Sequence, residues 1–126
     1  MLMLRIQAEG DFTKTIDFLE RAKRLVGMSV FDKYGKIGVE ALRSATPKDT
    51  GETANSWYYE INREGNKVTI DWLNRNVNDG VNIAVIIQYG HGTGTGGYVR
   101  GIDYINPAMK PVFDKIADDL WREVTR

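Results

Sequence analysis

The residues whose types and spacing suit chemistry lie in one stretch, Gln88-Tyr89-Gly90-His91-Gly92-Thr93-Gly94-Thr95-Gly96-Gly97-Tyr98. It follows an apolar run, Ile83-Ala84-Val85-Ile86-Ile87, and holds the single histidine of the chain. Glycine loses more conformational freedom on ordering than any other residue, so such crowding calls for unusual backbone angles or close backbone approach. In an enzyme the approach would be to a phosphate; in an assembly protein it would be to a neighbouring subunit. Gly92, Gly94 and Gly97 have the G-x-G-x-x-G spacing. A dinucleotide site also needs a strand before it, a helix opening at its end and an acidic residue about 20 positions on. Here Tyr98-Val99-Arg100-Gly101-Ile102-Asp103-Tyr104-Ile105-Asn106-Pro107 follows, with no helical period, and no Lys-Ser or Lys-Thr closes a P-loop.

His91 has the chemistry of a general base, but that role requires a nucleophile, an orienting group and an oxyanion site. The serines are Ser29, Ser44 and Ser56, and none lies in a G-x-S-x-G elbow. Asp79 or Asp103 could reach a metal beside His91, yet no ligand spacing supports one. Asp118 and Asp119 are adjacent on a helix and point apart. Tyr98, Arg100 and Tyr104 could stack on nucleobases. No catalytic constellation emerges, and the expectation is a chain without metal or cofactor.

The elements that must position this stretch belong to one domain, residues 1–126. The chain is 42% hydrophobic and 27% charged, ordinary for a soluble globular protein. Its 17 basic and 17 acidic residues give zero formal charge, which argues against a dedicated nucleic-acid binder. Zero charge also offers little electrostatic protection against self-association. The absence of cysteine excludes disulfides, thiol catalysis and thiolate metal sites. Met1-Leu2-Met3-Leu4-Arg5-Ile6 is too short and too soon charged for a signal peptide, and no apolar run approaches the roughly 20 residues of a membrane span.

Leu2, Leu4 and Ile6 alternate with Met3, Arg5 and Gln7, predicting a short first strand. After Gly10, Asp11 is a candidate cap for a helix whose stripe includes Phe12, Ile16, Leu19 and Val26, with Gly27 ending or kinking it. Val30, Tyr34, Ile37, Ala41 and Ala45 predict a second helix, or the continuation of a bent one, stopped by Thr46-Pro47. Trp57, Tyr59 and Ile61, then Val68, Ile70 and Trp72, alternate as an aromatic hairpin turned at Glu64-Gly65-Asn66. Asn74 to Gly80 is a polar loop, and Val81 to Tyr89 is a strand or short helix, with β-branching favouring the strand. The last helix is capped by Asn106, has Pro107 in its first turn and carries Met109, Phe113, Ile116, Leu120 and Val124. The fold class is therefore α+β: two N-terminal helices, a central antiparallel β-sheet with an aromatic hairpin, and a C-terminal amphipathic helix packed on the sheet.

Thr46-Pro47-Lys48-Asp49-Thr50-Gly51 follows a predicted helix and precedes Asn55-Ser56 and the hairpin; downstream come Ile87-Gln88-Tyr89-Gly90-His91-Gly92-Thr93 and Ile105-Asn106-Pro107-Ala108. This order resembles the head–tail joining, or tail-completion (neck), family of long-tailed bacteriophages and prophages, from Phe12 to Val124. That family has a P-x-D-T-G turn after the N-terminal helix, an apolar segment ending in Gly-Thr and a Pro-Ala start to the last helix. The chain departs from it by extending the glycine stretch to Gly97. The resemblance implies a non-enzymatic structural virion protein, assembled in the host cytoplasm and used in few copies at the junction of capsid connector and tail. It implies a homo-oligomeric ring, with head-connector or tail-tube and terminator proteins as partners, no membrane, and DNA only in passage. Gly90, His91, Gly92, Thr93, Gly94, Gly97, Tyr98, Arg100 and Tyr104 are then the candidate contact residues, in a loop expected to be mobile until a neighbour orders it. Two alternatives stand beside it: a small enzyme using the loop with His91, and a nucleic-acid-binding module using Tyr98, Arg100 and Tyr104.

Overall fold

Alternating aromatic and β-branched residues build the sheet that the rest of the chain packs against. The computed structural model describes residues 3–8, 30–47, 51–64 and 67–125. Strands β1 (Met3–Ala8), β2 (Trp57–Glu64) and β3 (Lys67–Asn74) form an antiparallel sheet in the order β1-β3-β2. Tyr59 lies opposite Trp72 and Ile61 opposite Ile70, the register expected of the aromatic hairpin. Directly opposed residues share a face, so Trp57, Tyr59, Ile61, Val68, Ile70 and Trp72 form one apolar surface, with Val68, Ile70 and Trp72 fully buried.

Helix α1 (Val30–Ala45) lies on that surface with Phe31, Tyr34, Gly35, Gly38 and Leu42 inward. Of the expected stripe, Tyr34 is in the core, while Val30, Ile37, Ala41 and Ala45 pack against it half-buried, because the centre of the contact is two glycines. A side chain at Gly35 would fall within the ring of Tyr59, and one at Gly38 within the indole of Trp72. Backbone and ring thus approach closely enough for the Trp72 Nε1–H to donate to the Gly35 carbonyl at 2.9 Å. The helix stops before Thr46-Pro47 as expected. Thr46 Oγ1 donates to the Leu42 carbonyl at 2.6 Å and accepts from Trp57 Nε1–H at 2.9 Å, joining helix end to strand start.

Helix α3 (Ile105–Thr125) buries Ile105, Met109, Val112 and Ile116 and packs on α1. It reaches the sheet through Phe113, whose ring centroid is 6.1 Å from that of Trp72. Tyr34 of α1 donates its hydroxyl to Asp119 of α3 at 3.1 Å. Burial, then the Asp119 carboxylate, pushes the Tyr34 phenol up to about 12. The same carboxylate is held below the usual range, first by the hydrogen bond from Lys115.

Two expectations are corrected. Asn74 to Gly80 is not a plain loop: Asp79 and Gly80, with φ of 50° and 77°, make the tight turn of a small hairpin of β4 (Val77–Asn78) and β5 (Val81–Asn82). The apolar run Val81 to Tyr89, open between a strand and a short helix with β-branching favouring the strand, resolves as helix α2 (Ile83–Tyr89) after the two residues of β5. Asn82 caps it by accepting from Ala84 N–H at 3.1 Å, and the cap with the burial of Ala84 and Gln88 on one face outweighs β propensity. The helix expected over Phe12 to Val26 with its cap Asp11, the turn residues Gly65 and Asn66, and Lys48 to Thr50 lie outside the described residues. Among the described residues no helix is long and apolar enough to cross a membrane.

Candidate functional site

Gly90 ends α2 with φ +83° and its N–H on the Ile86 carbonyl, and the chain turns outward into a two-stranded arm. Strands β6 (Gly90–Gly92) and β7 (Tyr98–Arg100) pair antiparallel, with His91 opposite Val99 and Gly92 opposite Tyr98. Tyr98 and Arg100 therefore occupy one face of the arm with Gly90 and Gly92, and His91 shares the other with Val99. Tyr98 leans over Gly90, where no side chain stands in its way, and its hydroxyl donates to the Tyr89 carbonyl at 2.8 Å.

The tip is closed by its own hydrogen bonds. Thr93 N–H donates to the Gly97 carbonyl at 3.1 Å and Gly97 N–H to Thr93 Oγ1 at 3.2 Å, while the Thr93 and Thr95 hydroxyls meet at 3.0 Å. Gly94 takes a left-handed conformation with open space around it. A phosphate cradle needs convergent free N–H groups, and those of Thr93 and Gly97 are turned inward to the arm. Gly92, Gly94 and Gly97 also span a hairpin that follows a helix, the wrong order for a dinucleotide fingerprint.

The base of the arm is packed on backbone. A side chain at Gly90 would meet the Val99 carbonyl and Gly101 N, and one at Gly101 would meet the Gln88 carbonyl and the Tyr89 main chain. Ile102 N–H donates to the Ile87 carbonyl at 2.9 Å, holding the returning strand against α2. Around this base the surface is apolar: Tyr89 is 64% exposed, Tyr98 66%, Val99 47% and Ile102 54%. Tyr89, Val99 and Ile102 were not among the sequence candidates; their exposure follows from the arm projecting from the body, which no local pattern announces.

All the candidate contact residues but Tyr104 fall in this arm. Tyr104 is 5% exposed and donates its hydroxyl to the Ala84 carbonyl at 2.8 Å, with burial raising its pKa. It belongs to the core and presents no ring for a partner or a nucleobase to stack on. His91 is half-buried, and its Nδ1 has no hydrogen-bond partner among the described residues, so no described group orients it as a base. No group of three or more histidine or acidic side chains among the described residues is placed to hold a metal ion. Asn106, read as the cap of the last helix, lies within its first turn; Gln88 Oε1 accepts from Tyr104 N–H at 3.1 Å and Ile105 N–H at 3.0 Å in its place.

Two of the segments that carry the resemblance come together at their described residues. Pro47 and Gly51 of the turn, Thr53 and Asn76, and Ile83 and Ile87 of α2 line one cavity of about 300 Å³. Asn76 Nδ2 donates to Thr53 Oγ1 at 2.8 Å and Asn74 Nδ2 to the Thr53 carbonyl at 2.8 Å, while the Asn76 carbonyl accepts from Ile83 N–H at 3.0 Å, so Asn74 and Asn76 join the Thr53 segment to the start of the arm-bearing helix. Compared with protein-family models, curated proteins and solved structures, the chain matches none.

Proposed function

We propose that this chain is a structural virion protein of a long-tailed phage or prophage, a ring-forming subunit at the head–tail junction or tail end that performs no catalysis. The observation that carries the reading is the β6–β7 arm, with aromatic and aliphatic side chains exposed around a base packed on backbone. Clustered aromatic anchors of this kind dominate interface energetics, and in place of the loop expected to stay mobile until a neighbour orders it, an arm paired along its strands and hydrogen-bonded at its tip reduces the ordering cost of binding. A projecting element on one side of a subunit suits the head-to-tail contacts that close a ring. The chain's zero net charge opposes neither self-association nor docking on a connector, tail-tube or terminator protein. The order of the turn, the apolar helix and the arm adds the resemblance to tail-completion proteins.

The test is deletion of the gene from the genome that encodes it, with lysates viewed by electron microscopy and virions analysed by mass spectrometry. The expected result is filled heads separate from tails, or tails of aberrant end structure, and a few copies of the chain per wild-type virion. Normal infectious particles after deletion, or virions lacking the chain, would overturn the reading.

A further inference from the structure

Gln88 is 7% exposed, in the last turn of α2, and its amide ties that helix to the segment 103–105. Oε1 accepts from the N–H groups of Tyr104 and Ile105, at 3.1 and 3.0 Å, where α3 begins. Nε2 donates to Asp103 Oδ1 at 2.8 Å, and Asn106 Nδ2 donates to the same oxygen at 3.0 Å. The chemistry fixes which end of the amide is which: two backbone donors require an acceptor, and a carboxylate requires a donor. The first N–H groups of a helix have no partner within it, so the start of α3 is completed by a side chain from the element that launches the arm. Gly101 packs on the Gln88 main chain, and Ile102 N–H holds the Ile87 carbonyl. The arm therefore leaves and re-enters the body between two elements clasped by one side chain.

We infer that Gln88 is the positioning residue of the β6–β7 arm: its amide fixes the arm's base to the first turn of α3 and so sets the direction in which Tyr98 and its neighbours project. A buried glutamine with both ends used costs more to leave half-satisfied than to keep. This geometry joins the arm's orientation to the seat of α3, and it holds whatever the arm contacts.

The experiment is residue-resolved amide hydrogen exchange on the full chain. Gln88→Leu strands the two buried N–H groups of Tyr104 and Ile105, and amides of β6, β7 and Ile102 should exchange about tenfold faster or more relative to those of β3. Gln88→Glu keeps the acceptor but sets carboxylate against carboxylate at Asp103, and the arm should loosen likewise. Adding Asp103→Asn reverses the polarity of that hydrogen bond and should restore most of the arm's protection, which a merely space-filling role would not. Exchange in the arm that is unchanged relative to β3, or that rises equally throughout the chain, would overturn the inference. So would failure of the reversed pair to rescue, and that arm of the experiment decides alone if Gln88→Leu does not fold. An arm that loosens in solution while particles still join would leave this inference standing and overturn the assembly reading.

Discussion

A glycine that lets two backbones touch and a glycine that merely faces solvent look alike in a sequence, yet the arm contains both. At Gly90 a side chain would press on the Val99 carbonyl and Gly101 N, and φ is +83° besides; at Gly101 it would press on the Gln88 carbonyl. At Gly92 the nearest atom to such a side chain is the Gly97 carbonyl, at 3.9 Å. Gly90→Ala and Gly101→Ala should each destabilise by about 1–3 kcal/mol, the range for overpacking and backbone strain, while Gly92→Ala should leave the melting temperature close to wild type. Calorimetry on the three variants checks this, and equal losses would show that the arm is limited by glycine content rather than by contact at its base. The crowding of glycines after an apolar run calls for close approach or unusual φ, and the segment shows both, at Gly90, Gly94, Gly96 and Gly101. It could not separate these roles, since they depend on what lies across the hairpin. Gln88 was hidden for the same reason: its partners are 15 to 17 positions away, and nothing in its local sequence marks a polar residue that will be buried.

Among the elements, α1 shows most plainly where periodicity is informative and where it fails. The helical spacing from Val30 to Ala45 and the stop at Thr46-Pro47 located the element correctly. The stripe through Tyr34 packs on the core as expected, but it does not include Gly35 and Gly38, which carry no hydrophobicity to count although they are where the helix meets the sheet. Alanine at either position gains up to about 1 kcal/mol of helix propensity, but it must displace a ring. Trp72 is fully buried and cannot move, whereas Tyr59 is half-buried and can swing outward. Gly38→Ala should therefore cost about 1–3 kcal/mol or more, and Gly35→Ala should cost less. Chemical denaturation of the two variants measures the order; a stabilising Gly38→Ala would contradict the contact with Trp72. The alternation of the β2–β3 hairpin was fully legible, since a period of two with aromatic residues has one solution on a half-buried sheet. Helix α2 was not, because its β-branched residues mislead until Asn82 is seen as a cap. Asp79-Gly80 was a legible hairpin signal, obscured by the asparagines around it.

For the molecule as a whole, α1 is tied to α3 through Tyr34, and α2 to the start of α3 through Tyr104, by buried phenols that hold their protons more tightly than an unfolded chain would. Burial is the leading cause at Tyr34, pushed up to about 12, and at Tyr104, raised from its usual 10.0. Stability from these groups is complete below about pH 10 and is lost as pH rises through the folded-state values, since the unfolded chain releases those protons first. Tyr34→Phe should lower stability at neutral pH by removing the bond to Asp119, and also flatten the alkaline decline by up to about 1.4 kcal/mol per pH unit, the effect of one proton. Parallel curves for variant and wild type in denaturant titrations between pH 9 and about 12 would contradict that linkage. The central claim, however, is that the arm joins this subunit to its neighbours in a virion, and complementation of a phage lacking the gene tests it most directly. Three variants are compared: Tyr98→Ala, which removes the exposed anchor; Gly94→Pro, which cannot take the φ of +81° at the tip; and His91→Ala. Scored by electron microscopy, Tyr98→Ala and Gly94→Pro should accumulate full heads and free tails, while His91→Ala still yields joined, infectious particles; normal joining by all three would contradict the account.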